Sequence, residues 1–469
     1  MLTPSGIAFD SRQVKPGYTY IALPGTKTHG ARFAAQAQAN GAAEIVTDAQ
    51  GAALADVQIP VRVVDDPRAE MARMAADLFG RPAESLRMFG VTGTAGKTST
   101  VTLLAAGLEA AGVRAATMGT LGTRMGGETL DLGTTTITTP ESPDVQRSLA
   151  ALLERGAQAV GMEVSSHALV LERVAEINFD VAGFTNLGRD HLDYHHTVEE
   201  YYQAKKRLFE PGQFKRAVIN ISDPFGQRLA KEAGVEVLTL SFDGDADYRL
   251  LSAEPRAGHT LVRMATPVDE REFVLGMPGK FSVCNAVLAA AMIDAARIDL
   301  VKALPGFANV QVPGRMQRVD LGVDAPQAVV DFAHSPEAIA SALGALPGRR
   351  IAVLGAGGER DAGKREPMGK AAAENAEIVV VTDDNPRGED PQLIRDAVLA
   401  GARSVPGTEV VDGGGRREAI AKALKLAEPG DWVAVLGKGH ETKQQWAGYE
   451  LPFEDAEVLR QEWSRHVGA

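Results

Sequence analysis

The chain has 469 residues, 45% of them apolar and 23% charged, and 61 acidic against 49 basic side chains leave a net charge of −12. Single cores stop growing near ~250–300 residues, so this length predicts about two to four domains. The acid excess argues against a general nucleic-acid binder, and the single cysteine, Cys284, rules out an internal disulfide or a multi-cysteine zinc site. No apolar run reaches the ~18 residues that span a bilayer, so a cytoplasmic chain without membrane insertion is expected.

Residues 1–84 alternate short apolar runs, at 18–23, 44–47 and 61–64, with alanine-rich helical stretches; they predict a small α/β unit ending near Gly80-Arg81-Pro82. A strand at 88–91 then meets the run Gly93-Thr94-Ala95-Gly96-Lys97-Thr98-Ser99, and a helix follows from Val101. Strand, glycine turn and helix start aim backbone N–H groups and a helix dipole at an anion. Lys97 adds a charge for the β- and γ-phosphates, and Thr98 a hydroxyl for Mg²⁺. A full Walker A spacing would place glycine at Val91, so the motif is the shorter G-x-x-G-K-[ST]; the competing reading is a glycine turn that happens to precede a lysine. Strand and helix in register favour phosphate, and so ATP.

Continuous apolar runs at 159–164, 181–186 and 217–220 predict parallel strands covered on both faces. Short strands with Gly and Pro turns between 235 and 277 predict an antiparallel addition, followed by a helix over 283–296. Pro305-Gly306 and Val312-Pro313-Gly314 predict a linker. The last third restarts the βα series with strands at 328–332, 350–354, 377–381 and 431–436, each ending in a glycine- or acid-rich loop, where open α/β sheets place ligands. The expected class is α/β in three domains. These are a small N-terminal α/β unit (1–84), a central P-loop ATPase-like, mostly parallel sheet (85–313) and a C-terminal Rossmann-like domain (314–469).

Two strand ends carry further chemistry. Glu163, in Met162-Glu163-Val164-Ser165-Ser166-His167, leaves a buried strand, where a carboxylate is costly without a cation. The next strand end carries Asp190, His191, Asp193, His195 and His196. Acids and histidines at neighbouring strand ends beside a phosphate loop point to one or two Mg²⁺ ions. His195 and His196 taken singly read as exposed loop residues. Lys205, beside Lys206 and Arg207, reads by spacing alone as an exposed helical lysine.

Taken together, G-T-x-G-K-T, Thr138-Thr139-Pro140, E-V-S-S-H, D-H-L-D-Y-H and Y-x-x-A-K (201–205) resemble the Mur ligases of bacterial cell-wall synthesis. So do D-F-A-H (331–334), G-G-E-R-D (357–361), D-N-P-R (384–387) and G-K-G-H-E (437–441). The similarity runs from Asp10-Ser11-Arg12 to Asp455 and is strongest to the ligases that extend UDP-N-acetylmuramoyl-L-alanyl-D-glutamate by the third peptide residue.

The resemblance implies an ATP-dependent, ADP-forming acid–amino-acid ligase, acting as a monomer in peptidoglycan synthesis and so in cell shape and division. A side-chain carboxylate is phosphorylated, and an amine attacks the acyl phosphate. It further implies that Lys97, Glu163, His191 and Lys205 are catalytic. Thr98, Glu163, His191 and Lys205 would hold metal, Lys205 after carbamylation by CO₂, which requires a neutral amine. ATP would be met by residues 93–99 (Gly93, Thr94, Ala95, Gly96, Lys97, Thr98, Ser99) and by Asn285, Arg315, Asp331 and His334. Capping of strand ends is an equal reading for Asp331 and His334. Ala95 stands where relatives carry Asn, and Leu171 where they carry Gln.

By the same resemblance Phe9, Ser11, Arg12, Thr138, Thr139, Ser165 and Arg173 would contact the UDP-muramoyl dipeptide. Arg360, Asp384, Asn385, Pro386, Arg387, Gly437 and Glu441 would contact the amine. The planar fork of Arg387 suits a second carboxylate, which meso-diaminopimelate has and L-lysine and L-ornithine lack. A capped turn at 383–386 is the plainer reading of that segment. The rival functions are ligation of lysine or ornithine, a folate-type polyglutamate ligase, and a non-catalytic nucleotide or wall-precursor binder.

Overall fold

The computed structural model describes residues 5–25, 27–133, 137–188, 190, 192–233, 237–256 and 258–468, the side chains of 192 and 193 excepted. The chain divides into two compact units. One holds residues 1–252 with 263–273 and 284–307, and the other 308–469 with 253–262 and 274–283.

The first sheet joins β1 (Ile7–Ala8), β2 (Thr19–Ile21), β3 (Glu44–Thr47) and β4 (Val61–Val63) in sequence order, all parallel. Tyr20, Ile21, Ile45 and Val46 are fully buried, which gives residues 1–84 apolar cores of their own.

The second sheet comprises β5 (Arg87–Thr92), β6 (Ala115–Gly119), β7 (Gly122–Met125), β8 (Glu128–Thr129), β9 (Ala159–Glu163), β10 (Phe179–Phe184), β11 (Phe214–Asn220), β12 (Val237–Ser241), β13 (Tyr248–Arg256), β14 (His259–Ala265) and β15 (Glu270–Leu275). Their order is β15-β14-β13-β12-β11-β10-β5-β9-β6-β7-β8. The block β11-β10-β5-β9-β6 is parallel throughout, so the segments after β10, β5, β9 and β6 emerge at one edge. β5, β9 and β10 are buried almost end to end, as their unbroken apolar runs predicted.

Two expectations need correction. The addition over 235–277 begins parallel: β12 pairs with β11 and the start of β13 with β12 in that sense. The helix Pro224–Glu232 returns the chain to the starting edge before β12, as in the preceding βα units. The expected linker starts only after Pro305-Gly306, since the two units divide between Phe307 and Ala308. Residues Leu304–Phe307 form a 3-10 turn with both ends buried, and a Cβ on Gly306 would meet the Ala106 carbonyl oxygen at 2.4 Å. The turn therefore packs on the helix Lys97–Ala110.

The third sheet joins β16 (Gln317–Val319), β17 (Gln327–Asp331), β18 (Arg350–Leu354), β19 (Ile378–Thr382), β20 (Glu409–Gly414) and β21 (Trp432–Leu436) in the order β16-β17-β21-β18-β19-β20. Only the β16–β17 pair is antiparallel. The loops after β17, β18, β19 and β21 therefore share one edge, and they carry D-F-A-H, G-G-E-R-D, D-N-P-R and G-K-G-H-E. A register shift between β19 and β20 falls at Val381/Thr382, just before the D-N-P-R turn, where such irregularities re-aim side chains. A separate hairpin pairs β22 (Lys443–Trp446) with β23 (Tyr449–Pro452).

Candidate active site

The phosphate loop has the geometry its sequence predicts. Gly93 and Gly96 take φ of 149° and 90°, and a Cβ on Gly96 would meet Asn285 Oδ1 at 2.4 Å. Gly96 caps the helix Lys97–Ala110 and supplies no side-chain acceptor to its first-turn N–H groups. The loop is braced from β10: Thr94 N–H donates to the Asn186 carbonyl (2.9 Å), Ala95 N–H to Asn186 Oδ1 (3.0 Å), and Thr185 Oγ1 to the Ala95 carbonyl (2.7 Å). Asn285 lies against this loop, and Thr100 Oγ1 donates to its Oδ1 at 3.4 Å. Ser99 is buried in the first helical turn.

Glu163 sits at the end of β9, 1% exposed. Its Oε2 accepts from Thr98 Oγ1 (3.0 Å) and Thr120 Oγ1 (3.2 Å), and its Oε1 from Thr120 N–H (2.9 Å). No cation pairs with this carboxylate among the described residues. Three donors offset part of the desolvation cost and leave the negative charge in place. Beside it, Lys97 Nζ donates to the carbonyls of Gly93 (2.7 Å) and Thr94 (3.0 Å).

Lys205 Nζ donates to the same Gly93 carbonyl at 2.8 Å and lies 4.4 Å from the centre of the Tyr201 ring. The spacing-based reading of an exposed lysine fails, since Lys205 is 1% exposed. The tertiary fold turns its face of the helix Val198–Lys206 inward. Burial holds its amine well below the usual lysine range; Lys97 pushes the same way and Asp190 opposes. His191 lies outside the described residues. Among the described residues, no group of three or more His, Cys, Asp and Glu side chains forms a metal cluster.

His195 also corrects its reading as an exposed loop residue. It is buried, its Nε2 lies 2.8 Å from Ser166 Oγ, and its ring packs against His167, Tyr194 and Tyr201. Its neighbour His196 is exposed with φ 59°. The pair looks alike in sequence because the ring cluster that buries one member is assembled from separate elements.

The residues expected at the muramoyl dipeptide converge only in part. Arg173 donates to Glu141 Oε1 through Nε (3.0 Å) and Nη2 (2.7 Å) and to the Thr139 carbonyl (2.9 Å). Thr139 Oγ1 donates to the Glu163 carbonyl and accepts from Ser165 N–H, while Ser165 Oγ caps the helix Ser166–Val170. Thr138 Oγ1 is 3.2 Å from Thr120 Oγ1. Thr120 and Glu141 thus hydrogen-bond to the expected site residues, and sequence reading missed both. Ser11 Oγ donates to Gln36 Oε1, Phe9 packs on the small core beside β1, and Arg12 forms an exposed pair with Asp10.

In the C-terminal unit Asp331 caps: Oδ2 accepts from Met316 N–H (2.7 Å) and Oδ1 from Ala333 N–H (2.8 Å). His334 Nδ1 lies 2.7 Å from the Phe332 carbonyl, and Arg315 stacks over the Phe332 ring at 4.6 Å. Asn385 joins the D-N-P-R turn to G-K-G-H-E: Nδ2 donates to Glu441 Oε2 (2.7 Å), and Oδ1 accepts from Lys438 Nζ (3.2 Å) and Gln445 N–H (2.9 Å). Lys438, fully buried between Gly437 and Gly439, also donates to Glu441 Oε2 at 2.9 Å. Burial works to raise the Glu441 carboxyl, but Lys438 and Asn385 outweigh it and hold it below the usual range.

Asp384 is buried beside Gly437, where a Cβ would meet its Oδ2 at 2.6 Å; burial pushes its carboxyl up against the opposing charges of Arg416 and Lys438. Pro386 carries the turn into Arg387, which has φ 53° and whose Nη1 donates to the Gly358 carbonyl at 2.6 Å. Arg360 is exposed.

Comparison with known proteins identifies the family. The chain matches the Mur ligase family catalytic domain over residues 3–79, the Mur ligase middle domain over 91–293 and the Mur ligase glutamate ligase domain over 314–439. It is 46% identical to a UDP-N-acetylmuramoyl-L-alanyl-D-glutamate–2,6-diaminopimelate ligase of Streptomyces coelicolor, covering 97% of this chain and 92% of the relative. A ligase of the same name from Corynebacterium glutamicum is 43% identical over 94% of this chain and 88% of its own length. A solved structure bearing that name superposes with a TM-score of 0.73 at 31% identity, covering 99% of this chain and 95% of the other. This chain belongs to the Mur ligase family.

Proposed function

We propose that the chain is an ATP-dependent ligase that joins meso-diaminopimelate to UDP-N-acetylmuramoyl-L-alanyl-D-glutamate, forming ADP and phosphate, in cytoplasmic peptidoglycan synthesis. The observation that carries it is a phosphate loop whose Thr98 hydroxyl meets Glu163, a buried carboxylate with no cation partner among the described residues. Relatives of this length and identity carry that activity in their names.

Residues 1–84 take the uridine end through Phe9, Ser11 and Arg12, residues 85–313 bind ATP, and residues 314–469 bind the amine. Thr138, Thr139, Ser165 and Arg173 would contact the dipeptide, and Asn285, Arg315, Asp331 and His334 the nucleotide. Lys97 moves from the loop carbonyls to the γ-phosphate, and the first-turn N–H groups of its helix orient the β-phosphate. The D-glutamyl carboxylate attacks phosphorus, ADP leaves, and the amine attacks the resulting acyl phosphate to release phosphate. Arg387 holds the distal carboxylate of the amine, with Arg360, Asp384, Asn385, Pro386, Gly437 and Glu441 around it.

Oxygen donors suit Mg²⁺, and the unpaired charge of Glu163 fits it. Thr98, Glu163, His191 and Lys205 would hold it, and when bound it neutralises phosphate charge. The depressed basicity of Lys205 supports its carbamylation, because only a neutral amine adds CO₂. A ¹³CO₂-equilibrated protein should give one carbamate carbon resonance that is missing from Lys205→Ala; its absence from the wild type removes the carbamate.

The ligase reading as a whole is tested by phosphate release. Release should require ATP, the UDP precursor and the amine together. Binding of all three without phosphate release would leave a wall-precursor binding protein instead.

A further inference from the structure

The D-N-P-R turn is held by a residue outside every motif. Gln445, on β22, accepts from Arg387 N–H at its carbonyl (3.1 Å) and from Arg387 Nε at its Oε1 (3.1 Å). Its own N–H donates to Asn385 Oδ1 at 2.9 Å. Its Nε2 lies 3.4 Å from Glu450 Oε1, which fixes the oxygen end of the amide toward the guanidinium.

We propose that Gln445 is a positioning residue for amine specificity, presenting one edge of Arg387 to the distal carboxylate of the substrate. The inference rests on the ligase reading above. A guanidinium has five N–H donors in a planar fork. Here Gln445 takes the Nε–H and the Gly358 carbonyl takes one Nη1–H. Both Nη2 protons and the second Nη1–H lack a protein acceptor among the described residues. The side-on approach along Nε and Nη2 is therefore closed by Gln445, and a carboxylate is left the remaining Nη donors.

The backbone bond matters as well. Arg387 is a non-glycine residue at φ 53°, a conformation that persists only where neighbours fix it. Gln445 binds that backbone and the Asn385 amide together, so the fork and the Asn385–Glu441 pair keep one spacing. Lysine and ornithine carry no distal carboxylate and gain nothing from this arrangement.

The test is steady-state kinetics of Gln445→Leu and Gln445→Glu with meso-diaminopimelate, L-lysine and ATP varied in turn. Leucine frees Nε, and KM for diaminopimelate should rise about tenfold, the factor that 1.4 kcal/mol represents for one lost charged hydrogen bond. Glutamate pairs with Arg387 and competes for it, and KM should rise about 100-fold. In both variants kcat, KM for ATP and any rate with lysine should keep wild-type values, a split that general loosening of the unit would not give. KM for diaminopimelate within twofold of wild type in both variants, or a lowered kcat with KM for diaminopimelate unchanged, would overturn the inference while leaving the ligase reading intact. A wild type that uses lysine as well as diaminopimelate would overturn the specificity role of Arg387, and the inference with it, while the ligase chemistry would stand.

Discussion

Glu163→Gln separates a metal-site carboxylate from one that serves the fold. Glutamine keeps the volume and the acceptor facing Thr120 N–H, while the hydroxyls of Thr98 and Thr120 turn to accept from the new amide. Exchanging three charge-assisted hydrogen bonds for neutral ones loses about 1 kcal/mol each, or about 3 kcal/mol. Removing an unpaired buried carboxylate returns about the same, several kcal/mol. The thermal midpoint of the variant in EDTA should therefore stay within a few degrees of the wild type. The Mg²⁺ concentration for half-maximal phosphate release should rise at least ~100-fold, about 2.7 kcal/mol. A midpoint more than ~10 °C lower, with the Mg²⁺ requirement unchanged, would show that Glu163 serves the fold and refute the reasoning.

Three further outcomes follow from the C-terminal unit. Arg387→Ala should raise KM for diaminopimelate by about two orders of magnitude or more, since truncating one side of a charge pair costs ~2–5 kcal/mol; an unchanged KM in initial-rate assays removes the assignment. Asp455→Ala leaves Arg416 with only the more distant Asp384 carboxylate, at 3.9 Å, in place of an Asp455 that meets its guanidinium twice at 2.7 Å with neither side chain of that pair exposed. That should cost ~3–5 kcal/mol in urea unfolding, and a loss under ~1 kcal/mol would contradict it. Burial, aided by Arg315, pushes His440 down to about 4. The unfolded chain then binds the extra proton between about pH 6.5 and 4, so this contribution is complete above pH 6.5 and fades as pH falls through 4. The stability gap between wild type and His440→Gln should change by on the order of 3 kcal/mol across that window, and parallel acid-unfolding curves would refute it.

The βα rhythm was legible because buried parallel strands need unbroken apolar runs, as at 159–163 and 350–354. Ala115–Gly119 and Glu409–Gly414 escaped notice. Alanine, glycine and acid give little strand signal, and only their neighbours in the sheet make them strands. The phosphate loop was readable from local chemistry alone. Burial of His195 and Lys205 was not, because it depends on rings and carbonyls distant in sequence. Lys438 stands inside the G-K-G-H-E motif, but its burial is a tertiary effect that the motif does not announce. Gln445 lies outside every motif.

The most direct test of the central claim is the product mass formed from ATP, Mg²⁺ and UDP-N-acetylmuramoyl-L-alanyl-D-glutamate with meso-diaminopimelate, L-lysine or L-ornithine supplied singly. The account predicts one ligated product, with diaminopimelate, and stoichiometric phosphate. Equal product from lysine or ornithine would contradict the role given to Arg387, and no product from any of the three would contradict the ligase itself.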